Sequence, residues 1–166
     1  NGRVFKVAMA SFGDAVSAIS GDYTQGAPAT GVYTLKGSFT LLRPSSHPNY
    51  YGLVFGGSDL GGGGQSYIYF MVAQDGSWLL KRRDGAATRD IAGRMVHSSI
   101  KRLDSTGKSV NVLEARVLAD KVDYVVNGTV VHSTPKTGQT AKTDGLYGFR
   151  SNHQLDVQVD GLVVSK

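Results

Sequence analysis

The sequence predicts an all-β fold, a two-sheet antiparallel sandwich, and three observations carry that expectation. Apolar and polar residues alternate with period two along most of the chain. Asn-Gly and Asp-Gly turn signals punctuate the alternation. The resulting segments, about eleven of them, recur every 8–14 residues or so, with no sustained helical period.

The elements follow in order. In 36–44, Phe39 and Leu41 share one face with Arg43, and Thr40 and Leu42 take the other. In 50–58, Tyr51, Leu53 and Phe55 line up. In 65–74, Ile68, Phe70 and Val72 oppose Tyr67, Tyr69 and Met71. Asp75-Gly76 then turns the chain into a strand starting near Trp78, which is expected in or beside the core with Leu80. In 109–120, Leu113, Ala115 and Val117 oppose Val112, Glu114 and Arg116. In 121–128, Val122, Tyr124 and Val126 oppose Asp123 and Val125, and Asn127-Gly128 closes a hairpin. In the last segment Val157 and Val159 oppose Asp156, Gln158 and Asp160. Successive strand side chains point to opposite sides, so each pattern describes one buried and one outer face. Residues 88–102 hold Ile91 and Met95 at helical spacing, but Gly93 breaks the pattern, so a loop with a turn or an irregular edge strand is expected. Residues 58–65 read as a flexible loop. Nothing marks a linker or an internal repeat, so residues 1–166 are expected to form one domain.

Composition excludes several functions. The chain of 166 residues has no cysteine, so it has neither disulfides nor a thiolate nucleophile. Glu114 is its single glutamate, which excludes a Glu–Glu catalytic pair and a zinc helix of the H-E-x-x-H type. No apolar run approaches the roughly 20 residues that span a bilayer. The formal net charge is +5, and it concentrates in Lys81, Arg82, Arg83, Arg89, Arg94, Lys101 and Arg102, set against Asp84 and Asp90. Such a stretch suits either a solvated surface or an acidic polymer, and no nucleic-acid motif accompanies it. The four histidines lack metal-ligand spacing. Asn127-Gly128-Thr129 spells a glycosylation sequon, but the hairpin turn accounts for it. Gly61–Gly64 lacks the Lys-Ser/Thr of a phosphate loop, and nothing marks a nucleophile elbow.

Four segments together carry a resemblance: YYGLVFGGSD (50–59), IYFMVAQDGSWLLKRRDG (68–85), NVLEARVLADKVDYVVNGTVVHS (111–133) and GLYGFRSNHQLDVQVDGLVV (145–164). Residues 30–164 resemble the concanavalin A-like lectin/glucanase superfamily, most closely its laminin G-like jelly rolls. A more distant likeness is to bacterial domains known as 3-keto-disaccharide hydrolases. The resemblance implies a jelly roll with one curved sheet whose outer face carries ligands. It also implies carbohydrate as the partner, with an extracellular or periplasmic location. The start at Asn1-Gly2-Arg3, without Met, is what removal of a leader would leave. The E-x-D-x-x-E strand of laminarinase-type enzymes is absent. So are the Leu-Phe-Asp-Gly and Asn-Ser-Gly-x-x-x-Arg stretches of the keto-sugar hydrolases.

Two functional readings follow. A lectin-like module would use exposed aromatics and polar groups: Tyr67 and Tyr69 for stacking on sugar rings, with Arg116, Arg150 and His153 around them, the alternative for the tyrosines being packing under a neighbouring loop such as 58–65 or 88–102. A glycoside hydrolase would need an acid and a base or nucleophile about 5–9 Å apart, drawn from Glu114, Asp123 and Asp156. Against the second reading, Glu114 or Asp123 could simply pair with Arg116. The module is preferred, with acidic-polymer binding through residues 81–102 as a third reading. No cofactor is expected beyond a structural calcium ion, for which Ser58, Asp59 and Asp144 offer loop oxygens.

Overall fold

The computed structural model describes residues 28–60, 62–152 and 155–166, together with the backbone of residues 2–6. Its strands are β1 (Gly2–Lys6), β2 (Tyr33–Leu41), β3 (Tyr51–Ser58), β4 (Ser66–Val72), β5 (Ser77–Asp84) and β6 (Ala87–Val96). They continue as β7 (Ser109–Val117), β8 (Lys121–Val126), β9 (Thr129–Pro135), β10 (Leu146–Asn152) and β11 (Val157–Ser165). A single 3-10 turn, Gly138–Thr140, interrupts them. Two antiparallel sheets result. One has six strands in the order β1-β10-β3-β4-β5-β6, and the other has five in the order β11-β2-β7-β8-β9.

The alternation read from the sequence sets which faces meet. Leu53, Phe55, Ile68, Phe70, Trp78 and Leu80 of the larger sheet join Phe39, Leu113, Ala115, Tyr124 and Val157 of the smaller in one buried cluster. Aromatic rings bridge the two sheets. Tyr124 lies 5.3 Å from Phe70 and 6.3 Å from Phe55, and Phe39 lies 5.9 Å from Tyr51. All three pairs are tilted, an arrangement that avoids the face-to-face sandwich aromatic quadrupoles disfavour. Asn127 and Gly128 take φ of 52° and 84°, the conformation that the hairpin between β8 and β9 requires.

Residues 87–96 form the irregular edge strand β6, whose register with β5 shifts twice. The second shift falls at Gly93, whose φ is +108°. A Cβ there would lie 2.7 Å from both Leu79 Cα and Trp78 O, so only glycine lets the bulge close against β5.

The structure decides between the two readings of Tyr67 and Tyr69. Tyr67 and Tyr69 do oppose the core face, but their rings are not exposed. They are 1% and 2% accessible, packed in a second cluster with Val54, Leu60, Met71 and Leu79. Leu60 comes from the loop after β3, and β5 supplies Leu79, so the outer face of the larger sheet carries an apolar layer of its own. A sheet whose strands are apolar on both sides buries both.

Candidate functional site

Two outer faces hold the chemistry. On the five-stranded sheet, β7 and β8 place Glu114 opposite Val125 and Arg116 opposite Asp123, while β2 sets Lys36 opposite Glu114. The carboxylates are engaged. Arg116 Nη2 donates to Glu114 Oε2 at 3.1 Å and its Nε to Oε1 at 3.3 Å. Asp123 Oδ1 accepts from Ser133 Oγ at 2.6 Å and lies 3.3 Å from Lys121 Nζ. The Ser133 hydroxyl, with the Lys121 ammonium, holds the Asp123 carboxyl below the usual carboxylate range. Glu114 and Asp123 are thus diagonal neighbours with Arg116 between them, and Asp123 is shifted away from the protonated form a general acid needs.

Asp156 is not brought to them. Its carbonyl accepts from Leu42 N and its carboxylate pairs with Arg43. Six residues separate Leu42 from Lys36, about 20 Å of extended chain. The three acids therefore do not converge on one cleft. Arg116 serves Glu114, and His153 lies outside the described residues.

The outer face of the six-stranded sheet brings more together. Arg150 projects from β10 across β3 to β4. Its Nη1 donates to Tyr67 Oη at 2.6 Å, its Nε donates to Asn152 Oδ1 at 3.1 Å, and its Cζ lies 4.6 Å from the centroid of the Tyr69 ring. Tyr67 and Tyr69 pair at 5.5 Å. Burial pushes the Tyr69 hydroxyl above the ordinary phenol value although the Arg150 charge pulls the other way. The register then runs from Tyr69 to Lys81 on β5 and Asp90 on β6, with Lys81 Nζ 3.4 Å from Asp90 Oδ1. Beside them Leu79, Asp90, Ile91, Ala92, Gly93 and Arg94 line an open pocket of about 160 Å³. Arg94, the bulge residue, lies 5.9 Å from the Tyr50 ring.

Tyr67, Tyr69 and Arg150 were legible as candidates, whereas Lys81, Asp90 and Arg94 were legible only as parts of a basic stretch. The register of β5 against β6 is what joins them, and the bulge that sets it depends on contacts with Trp78 and Leu79. The loop oxygens offered for calcium serve the backbone: Asp59 Oδ2 accepts from Gly64 N and Asp144 Oδ1 from Gly31 N. Among the described residues no three His, Asp or Glu side chains group as a metal site would require.

No family model matches the sequence, and no curated protein matches it. Solved structures do. The carbohydrate-binding module CBM66 from Bacillus subtilis superposes with a TM-score of 0.63 at 11% identity, over 84% of this chain and 78% of that one. Sheep galectin-11, in complex with glycerol, gives 0.55 at 16% identity over 86% and 99%. Alginate lyase A1-II′ gives 0.52 at 19% identity, over 81% of this chain and 62% of the lyase. At such identities the likeness is one of fold: the chain is a two-sheet antiparallel jelly-roll sandwich like these proteins.

Proposed function

We propose that the chain is a carbohydrate-binding module without hydrolytic activity, which holds a glycan on the outer face of its six-stranded sheet along β4, β5 and β6. The observation that carries this reading is the pocket beside Leu79, where an apolar floor meets Asp90 and Arg94. A sugar ring offers CH groups to the one and hydroxyls to the other, and an Asp–Arg combination can both accept and donate. Its volume suits one subsite of a longer chain rather than an enclosed cavity. Support comes also from the fold, which is shared by a carbohydrate-binding module and by galectins. The engaged state of Glu114, Asp123 and Asp156 weighs against hydrolysis, since none is left free to move a proton.

The test is equilibrium binding on a panel of immobilised glycans, with product release followed in parallel. Retention without products is expected, and the double variant Asp90→Ala, Arg94→Ala should weaken it about tenfold or more, the equivalent of roughly 1.4 kcal/mol. Release of reducing ends that a Glu114→Gln, Asp123→Asn variant abolishes would instead establish a glycosidase.

A further inference from the structure

The Arg150 guanidinium is a buried cation without an acid. The residue is 6% exposed, yet its partners, Tyr67, Tyr69 and Asn152, are all neutral, and among the described residues no carboxylate forms an ion pair with it. Removing a charge from water without a counter-charge is costly, and ring faces offset only part of that cost. Among the described residues, two of the five N–H donors of the guanidinium are used in hydrogen bonds, and Nη2 donates none. Nη2 is not among the buried side-chain atoms that lack a partner, which include only Ser109 Oγ among the described residues. The aromatic setting therefore fixes the guanidinium and leaves the Nη2 donors outside the hydrogen bonds that the described residues make.

The same face adds more positive charge. Arg83, opposite Tyr67, spends its Nε on the carbonyl of Gly85 and, among the described residues, pairs with no acid. Lys81 meets only Asp90, whose side chain is 82% exposed and easily displaced. Arg94 closes the row. Among the described residues, four cations on β10, β5 and β6 thus face one carboxylate.

We propose that the ligand of this face is an anionic glycan, carrying uronate carboxylates or sulfate esters, with one acidic group taken by the Nη2 edge of Arg150 and the next by Lys81 or Arg83. The proposal rests on the carbohydrate-binding reading of the same face and names its ligand class. A planar guanidinium held by stacking is the donor best matched to an oxyanion, since little side-chain freedom is left to lose on binding.

Titration calorimetry of the intact chain tests it, with polygalacturonate, a sulfated galactan, neutral galactan and single-stranded DNA as probes at two salt concentrations. The acidic polymers should bind about tenfold or more tightly than neutral galactan, and their affinity should fall as salt rises. Arg150→Gln should remove that preference. Should Arg150→Gln fail to fold, Arg83→Gln, whose head group lies outside the buried cluster, should still lower acidic binding severalfold. Uronate without sulfate binding, or the reverse, identifies the group that is read. Equal or tighter binding of neutral galactan overturns the anionic ligand but leaves the carbohydrate module standing. Binding of no polysaccharide, or tighter binding of DNA than of any glycan, overturns both.

Discussion

Asn111 shows how much one polar side chain can hold. It is fully buried on β7, where its Oδ1 accepts from Lys101 N at 2.8 Å and Asn127 Nδ2 at 2.9 Å, and its Nδ2 donates to the carbonyl of Lys101 at 3.1 Å. Asn127 in turn donates to the carbonyl of Ser99 and accepts from Val112 N. The loop after β6 is thereby tied to β7 and to the β8–β9 turn. Asn111→Ala strands the Lys101 amide and part of Asn127, and should cost about 1–3 kcal/mol in urea unfolding; an unchanged midpoint would show that the network is dispensable. His132 is the residue for pH. Its ring lies 5.0 Å from Trp78 and 6.1 Å from Tyr124, and burial lowers its pKa below the ordinary value of 6.5. The unfolded chain therefore takes up this proton at higher pH than the folded one. The stability due to neutral His132 is complete above pH 6.5 or so and is lost as pH falls below it. Thermal midpoints should drop between pH 7 and pH 5, and His132→Phe should flatten that part of the profile.

At the scale of the element, β6 matters most. Its sequence mixes a weak helical spacing with Gly93, and its assignment as a strand is decided by hydrogen bonding to β5. The bulge at Gly93 turns Arg94, at φ 54°, towards Tyr50 and opens the pocket beside Leu79. Gly93→Ala would force a Cβ into Leu79 and Trp78. A loss of about 1–3 kcal/mol is expected, together with weaker glycan retention. Retained stability with normal binding would mean that the bulge tolerates a side chain and does not shape the site. Strand β4 makes the complementary point. Its alternation read correctly, with Ile68, Phe70 and Val72 inward. The outward row left two readings open, a sugar-stacking surface or packing under a neighbouring loop, and Tyr67, Tyr69 and Met71 carry enough apolar surface to build a second layer with Leu60.

At the scale of the molecule, β1 pairs with β10 and β2 with β11, so the two sheets close only when distant parts of the chain meet. Non-local pairing is slow because loop closure precedes the contacts that reward it. Refolding by stopped-flow Trp78 fluorescence should take milliseconds to seconds, and a submillisecond phase accounting for the whole amplitude would contradict the topology. Charge is also a property of the whole. The stretch from Lys81 to Arg102 reads as one basic block, yet the sheet divides it: Arg82 turns back to Asp84 and Ser66, while Lys81 and Arg83 face the other way, towards Arg150.

By itself the sequence determined the all-β class, the inward rows of most strands and the turns that separate them. Those depend on local rules, period-two side-chain direction and the backbone tolerance of Asn-Gly and Asp-Gly. The identity of Tyr67, Tyr69 and Arg150 as a set came from reading faces and from the resemblance, not from any spacing between them. Only the tertiary structure decided that Glu114, Asp123 and Asp156 stay apart, because that depends on which strands are neighbours and in what register. It alone decided that the two tyrosines are covered and that Arg150 crosses β3 to reach them. Pairing residues 83 positions apart in the chain is a matter of sheet order, and sheet order is set by the packing of both layers together.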